Sequence, residues 1–414
     1  MENASYFLLA LLWILCWGTI GAVVTPRIYG RKDLDVSQAG LAGAATGAAG
    51  GPFFLIPLWY LTPELDWKWV VIPAVVIVVI FAGAFAAADP DNLCVTRGGF
   101  VATQLVNGLV IGIIYGLMAL GLTLIFSILG VVSFAHGEFY MIGGMAVYYL
   151  TTIWFPGLHP LVGVLGAALL TFVIGIIFER LFLRAMNTGQ VERPGEYAIL
   201  VTFGLAFFLQ YLTLALVGAN PKKVARFVEY PAINLPSTEN PALLKVTVSS
   251  IQLFDFISIS TSRFTAAIIA VVLLGALMWF LYRTWIGKAL RAVSQDRQAA
   301  AVAGINPNTM NTLAFGLGTM LAGLSGASLV QVFSWVPWVG IPASARSFVI
   351  IVLGGMGSLP GAFIGGLFVG IVEAIGAGCV PDPQRAASYI PAYGMLILTL
   401  VLLLKPTGLF GREL

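Results

Sequence analysis

Hydrophobic positions in this chain run in long blocks and do not alternate with polar ones. Charge-free intervals cover 3–26, 36–63, 69–88, 98–137, 139–178, 197–221, 264–282, 298–345, 347–372 and 386–404. A helix needs about 20 apolar residues to cross the hydrocarbon of a bilayer, so several intervals hold more than one crossing. In lipid every backbone N–H and C=O must be paired internally, which a helix does within itself. A barrel would need strands of about ten alternating residues, and no such pattern is visible. The expected fold class is therefore all-α: a polytopic integral membrane protein with about nine full transmembrane helices plus two broken or re-entrant segments.

Composition agrees. Of 414 residues, 59% are hydrophobic and 9% charged, and mean hydropathy is +0.96. Soluble domains carry roughly 25% charged residues, so this chain cannot cover a water-facing surface. Soluble enzyme, secreted disulfide scaffold, coiled coil and disordered protein are excluded. The net charge of +3 is spread over loops, and without a basic run no nucleic-acid partner is expected. Cys16, Cys94 and Cys379 lie far apart, and their odd number cannot close into a full disulfide set. Cys16 sits in an apolar run as a small hydrophobe. His136 and His159 are too few for a metal cluster, and no metal or cofactor is expected. Segment 3–26 has no basic start and exceeds the usual signal-peptide core, so it reads as a retained helix.

Short basic loops mark the cytoplasmic side. Arg283, Lys288, Arg291 and Arg297 form one such loop, with Arg180, Arg184 and Arg193, then Arg27, Arg31 and Lys32, and the tail of Lys405 and Arg412 as others. Segment 64–68 is acidic on balance and reads as external. Stretch 218–262 lies between two passes that begin and end inside, so it is expected outside, with a small hairpin in 245–256. Parity makes 347–377 a hairpin or re-entrant pair turning near Gly354 to Gly361. It also makes 130–155 a partial pass if 89–97 is cytoplasmic. The N-terminus is then outside and the C-terminus inside.

Two apolar runs are interrupted by residues ill suited to a helix in lipid. The first is Ile128-Leu-Gly-Val-Val-Ser-Phe-Ala-His-Gly-Glu138 and the second Leu353-Gly-Gly-Met-Gly-Ser-Leu-Pro-Gly361. Irregular backbone at membrane depth survives only when buried in protein or lining an aqueous cavity, and paired interruptions point to a transport site. An acid at the bilayer centre costs roughly 2.5–3.5 kcal/mol on insertion scales. His136 and Glu138 therefore face the interior, where they line a path or gate, or merely cap a half-helix or pair with each other. Glu373 lies near a helix end and can snorkel. The candidate substrate path comprises Ser133, Phe134, His136, Gly137, Glu138, Gly354, Gly355, Met356, Gly357 and Ser358. The positive ends of half-helices there suit a carboxylate.

Residues 283–310 are too polar at their start to insert. Helix formers run from Lys288 to Ala303, Gly304 supplies a stop, and Asn306-Pro307 turns the chain. A single short cytoplasmic helix is expected. Gln298-Ala299-Ala300 followed by Gly304 resembles the coupling motif of ABC-transporter permeases, in which such a helix docks on an ATPase.

The resemblance widens over about 100–411. Tyr115-Gly-Leu-Met-Ala-Leu-Gly-Leu-Thr-Leu-Ile125, Ser133-Phe-Ala-His-Gly-Glu138, Gly287-Lys-Ala-Leu-Arg-Ala-Val-Ser-Gln-Asp296, Ala303-Gly-Ile305, Leu353-Gly-Gly-Met-Gly-Ser358 and Lys405-Pro-Thr-Gly-Leu-Phe-Gly411 resemble the H-type permease subunit of branched-chain amino acid ABC importers. Urea and short-chain amide permeases are relatives of that family. Ser133 stands where the family usually has Asn, and Gln298 where the coupling motif usually has Glu.

The resemblance implies a permease moving a small polar organic solute, most readily a branched-chain or other hydrophobic amino acid, by alternating access. It implies a bacterial inner-membrane location, a second permease subunit, two cytoplasmic ABC ATPases, a periplasmic or lipid-anchored substrate-binding protein, and surrounding membrane lipid. Coupling would rest on Arg291, Asp296, Gln298, Ala299, Ala300 and Gly304. Residues 1–99 form an N-terminal extension of about three helices beyond the core at 100–411. There is no P-loop and no nucleophile constellation, so the chain is not expected to be an enzyme, and ATP hydrolysis falls to partners. Two other classes fit the intramembrane residues. One is a proton-coupled secondary transporter using Glu138 and Glu373, and the other a channel-like pore for urea or amides with a glycine filter at 354–357.

Overall fold

The structure is a computed structural model describing residues 18–26, 43–44, 47, 94, 98–187, 191–235, 244–253, 257–379, 386–404 and 407–411. The expected extension over 1–99 otherwise lies outside the described residues, which within it are helical over 18–26. The chain divides into two compact units. The larger comprises 105–374, 391–402 and 406–414, and the smaller 1–104, 375–390 and 403–405.

From residue 98 the order is α1 (Gly98–Leu129), α2 (His136–Tyr148, widening into a π-helical turn over Tyr149–Trp154), α3 (Pro160–Phe178, continued by shorter turns to Asn187) and α4 (Pro194–Val217). Four short strands follow: β1 (Ile233–Leu235), β2 (Leu244–Val246), β3 (Ser250–Leu253) and β4 (Ile257–Ser260). Then come α5 (Thr261–Arg283), α6 (Trp285–Gln295), α7 (Arg297–Val302), α8 (Pro307–Leu329), α9 (Gly340–Gly354), α10 (Leu359–Gly378) and α11 (Ala386–Leu404). Among the described residues, six helices are long and apolar enough to cross a membrane, and two apolar stretches are shorter. The fold is thus helical and polytopic.

In the larger unit α8 is the central helix, buried along most of its length. Lipid tails are as apolar as leucine, so helices in a membrane associate through close packing, for which small residues are used. Gly318 of α8 lies against the Gly121 carbonyl of α1, Gly323 against Thr171 of α3, and Gly326 against the Tyr140 carbonyl of α2. Gly108, Gly112 and Gly116 recur every fourth residue along α1. They meet Ile371, Leu367 and Phe363 of α10 in reverse order, so the two helices run antiparallel. By contrast α4 leaves Leu200, Phe203, Phe208, Tyr211 and Leu216 exposed, as a helix facing lipid does.

The expected hairpin is a four-stranded antiparallel meander in the order β1-β2-β3-β4. Register places Val246 opposite Ile251 and Ile251 opposite Ile259, and these three form its buried apolar row. In the smaller unit Cys94 and Cys379 form a disulfide. Spacing 285 residues apart could not reveal that pairing.

Candidate functional site

Both α1 and α8 end in an irregular segment that leads into a second helix. After Leu129 the chain turns at Gly130 with φ +72° and re-enters helix only at His136. After Leu329 it runs irregularly to Gly340. At 1.5 Å per residue α9 rises about 21 Å, against about 30 Å of hydrocarbon, while α2 continues through its π-helical turn to Trp154.

The first turns of these two helices meet. A methyl group on Gly137 would stand 2.0 Å from the Gly340 carbonyl oxygen. One on Gly340 would stand 2.6 Å from the Glu138 carboxylate carbon and both its oxygens. Only glycine at both positions allows this approach. The α2 N-cap, Ala135, has no side-chain acceptor. Ser344 of α9 supplies one instead, accepting from the Gly137 amide at 2.8 Å while donating to the Phe134 carbonyl at 3.1 Å. First-turn amides have no partner within their own helix, so capping across helices satisfies them.

The side chains around the break differ in their surroundings. His136 is fully buried, with Nε2 2.9 Å from the Met118 carbonyl of α1. Ser133 is buried, and its hydroxyl has no partner among the described residues. Phe134 is partly exposed, its amide on Thr202 Oγ1 of α4 and its ring edge-on to Phe203. Glu138 is 2% exposed, and its Oε2 accepts no hydrogen bond among the described residues. Just beyond, Trp335 is fully buried against Tyr140 and donates from Nε1 to the Met141 carbonyl.

Glu373 has a different environment. Its Oε1 accepts from Arg346 Nε at 3.0 Å and its Oε2 from the Tyr115 hydroxyl at 3.1 Å. The Arg346 guanidinium also lies 5.5 Å from the centre of the Tyr115 ring. Of the two intramembrane acids singled out in the sequence, Glu373 is ion-paired, and Glu138 has no ion pair among the described residues.

Gly354 ends α9, and Gly355, Met356, Gly357 and Ser358 form the turn to α10, with Gly355 at φ +95° and Gly357 at +87°. The structure does not bring this turn to Ser133–Glu138, because the length of α9, about 21 Å, intervenes. It is held by the C-terminal segment. The amides of Leu409 and Phe410 donate to the Leu353 and Gly354 carbonyls, which α9 itself leaves without partners. The break that does oppose Glu138 is 330–340, which sequence reasoning missed. Its signal was Pro337, Gly340 and Pro342 inside a charge-free interval too long for one helix.

The segment between α5 and α8 is two helices, where one was expected. Asp296 has extended backbone because its side chain caps α7, accepting from the Gln298 and Ala299 amides at 2.8 and 2.9 Å. Gly304 closes α7 at φ +86°, with Gly304 N–H on the Ala301 carbonyl and Ile305 N–H on the Ala300 carbonyl. Asn306 then caps α8. Arg291 donates to the Leu281 carbonyl and stacks on Tyr282, and Ala300 is buried. Gln298, Ala299, Gly304 and Val302, itself 91% exposed, are presented outward.

A family model described as the permease component of branched-chain amino acid transport systems matches residues 104–405. The chain is similar to the high-affinity branched-chain amino acid transport permease BraD of Pseudomonas aeruginosa, at 32% identity over 75% of this chain and 95% of the relative. LivH of Escherichia coli, a permease of the same description, is 30% identical over 75% of this chain and 95% of its own length. A probable LivH of Methanocaldococcus jannaschii is 27% identical over 72% and 88%. No solved structure matches the chain.

Proposed function

The chain belongs to the family of branched-chain amino acid transport permeases, and from that premise we propose that it is the passive permease subunit of an ATP-driven importer for such an amino acid. In this reading a second permease subunit completes the translocation path, two cytoplasmic ABC ATPases supply force, and an external binding protein delivers the solute. Urea, amides and other small organic acids are the alternative cargoes.

The observation that carries the reading is the capped pair α6–α7. It is a short rigid element between two apolar helices, held by Thr284, Asp296, Gly304 and Asn306, with Gln298, Ala299 and Val302 facing outward. ATPase closure would push on this element, and α5 and α8 would carry the push inward. The basic residues around it support a cytoplasmic position. A disulfide such as Cys94–Cys379 persists in an oxidising compartment, which supports an external position for those two residues. This reading takes Cys94 as external, so the condition of a cytoplasmic 89–97, on which the partial pass at 130–155 depended, does not apply. Alternating access then means parting and rejoining of α2 and α9 at their first turns, the only place in the larger unit where two described half-helices begin face to face.

Gly304→Pro tests it. Proline requires φ near −65° and has no N–H, so it destroys the cap at +86° without touching the membrane helices. Proteoliposomes bearing the assembled transporter should keep the variant in the membrane but lose ATP-dependent L-leucine uptake. Undiminished uptake would remove the coupling role.

A further inference from the structure

We infer that the head-to-head junction of α2 and α9 is a binding site for a carboxylate group, and that in this structure the chain's own Glu138 occupies it. Each helix carries roughly half a positive charge at its N-terminus, so two facing N-termini present about one unit of positive charge to the space between them. Anions are the ligands such a place selects. α2 and α9 are 13 and 15 residues long, enough for both dipoles to develop.

The second observation is Glu138 itself. Its carboxylate lies against Gly340 at the start of α9 and is 2% exposed, with no cation paired to it among the described residues. Its Oε2 accepts no hydrogen bond from the described residues. A buried carboxylate with an unfilled oxygen is costly, and here the two helix ends offset its charge. It is therefore a placeholder: charge-matched to the site, incompletely hydrogen-bonded and displaceable. When the half-helices part, a solute carboxylate takes its place at the start of α9, and the freed Glu138 meets the ammonium group of the same solute. A zwitterionic amino acid satisfies both ends, whereas an amine or amide lacking the carboxylate satisfies one. The identity of the solute rests on the permease reading, but the existence of the carboxylate site does not.

The test uses the full-length chain with its co-purifying subunits in lipid nanodiscs. Glu138→Ala vacates the place. Isovalerate, a carboxylate without an ammonium group, should then raise the thermal unfolding midpoint saturably, with an affinity at least ten-fold above any effect on the wild type. Isoamylamine, the matching amine, should not. Glu138→Gln refills the space without charge and should be rescued less than the alanine variant. If the alanine variant does not assemble, Glu138→Asp carries the test, since its carboxylate reaches one methylene less far and should admit isovalerate more weakly. Equal isovalerate affinity in wild type and variant, or equal rescue by isoamylamine, overturns the proposal. L-Leucine uptake by wild-type proteoliposomes, measured in parallel, reports on the permease reading alone.

Discussion

The amide of Gly137 donates a 2.8 Å hydrogen bond to the hydroxyl of Ser344, a residue 207 positions further along the chain. That bond stitches the first turn of one half-helix to the first turn of another. Ser344→Ala removes the acceptor for a buried amide and the donor to the Phe134 carbonyl. Leaving a buried polar group unsatisfied costs about 1–3 kcal/mol. The purified variant should unfold at a lower temperature, and the Gly137 amide should exchange hydrogen faster. Unchanged exchange would mean the two half-helices are not joined there.

Gly340→Ala puts a methyl group 2.6 Å from the Glu138 carboxylate. Overpacking of this kind costs about 1–3 kcal/mol. Because the clash is with one side chain, combining Gly340→Ala with Glu138→Ala should recover part of the loss. The double-mutant cycle on thermal stability should therefore be non-additive by about 0.5 kcal/mol or more. Strict additivity would separate the two residues.

The ion pair of Arg346 and Glu373 holds α9 to α10, with the Tyr115 hydroxyl from α1 as a third member. Arg346→Gln strands a carboxylate that is 8% exposed, at a cost of about 3 kcal/mol. Replacing both charged residues by methionine should cost less than replacing either alone, because no unpaired charge is left behind. Tyr115→Phe should cost about 1 kcal/mol. Unfolding midpoints of the five variants in one detergent check this ordering.

Asp296→Ala takes the cap from α7 and should weaken that helix by about 1 kcal/mol, while Asp296→Asn should be nearly neutral. The effect is local. Hydrogen exchange over 297–302 should quicken while the global unfolding midpoint holds, and uptake should fall with the helix. A global loss of stability would assign Asp296 to the fold and not to coupling.

The disulfide predicts a thiol count. Unreduced, denatured protein should titrate one thiol, and reduced protein all three cysteines. Cys379→Ser should raise the unreduced count to two by freeing Cys94. Three reactive thiols before reduction would contradict the bridge.

Much of the membrane architecture was legible in the charge-free intervals, because an uncompensated charge in hydrocarbon is so costly that its absence marks the helices directly. The break at Gly130–Ala135 was equally readable, since Ser, His and Glu are too costly to desolvate in a run that simply faces lipid. The cap chemistry at Gly304 and Asn306-Pro307 was local and showed in the spacing. The role of Asp296 did not, because a residue that splits a helix and one that merely decorates it look alike in composition.

What the sequence determined by itself was therefore the class of molecule, the position of most helices, one of its two interruptions and the family, since each rests on local hydropathy or a contiguous motif. What only the tertiary structure decided was which interruption faces which. The glycines at 354–357 announce a break more loudly than Gly340 does, yet they form a turn bound by the C-terminal segment. Gly340, with a single proline on either side, receives the Glu138 carboxylate. A glycine reports that a backbone can bend or be approached closely, but the approaching group comes from another helix about 200 residues away, and only the packing of the bundle selects it.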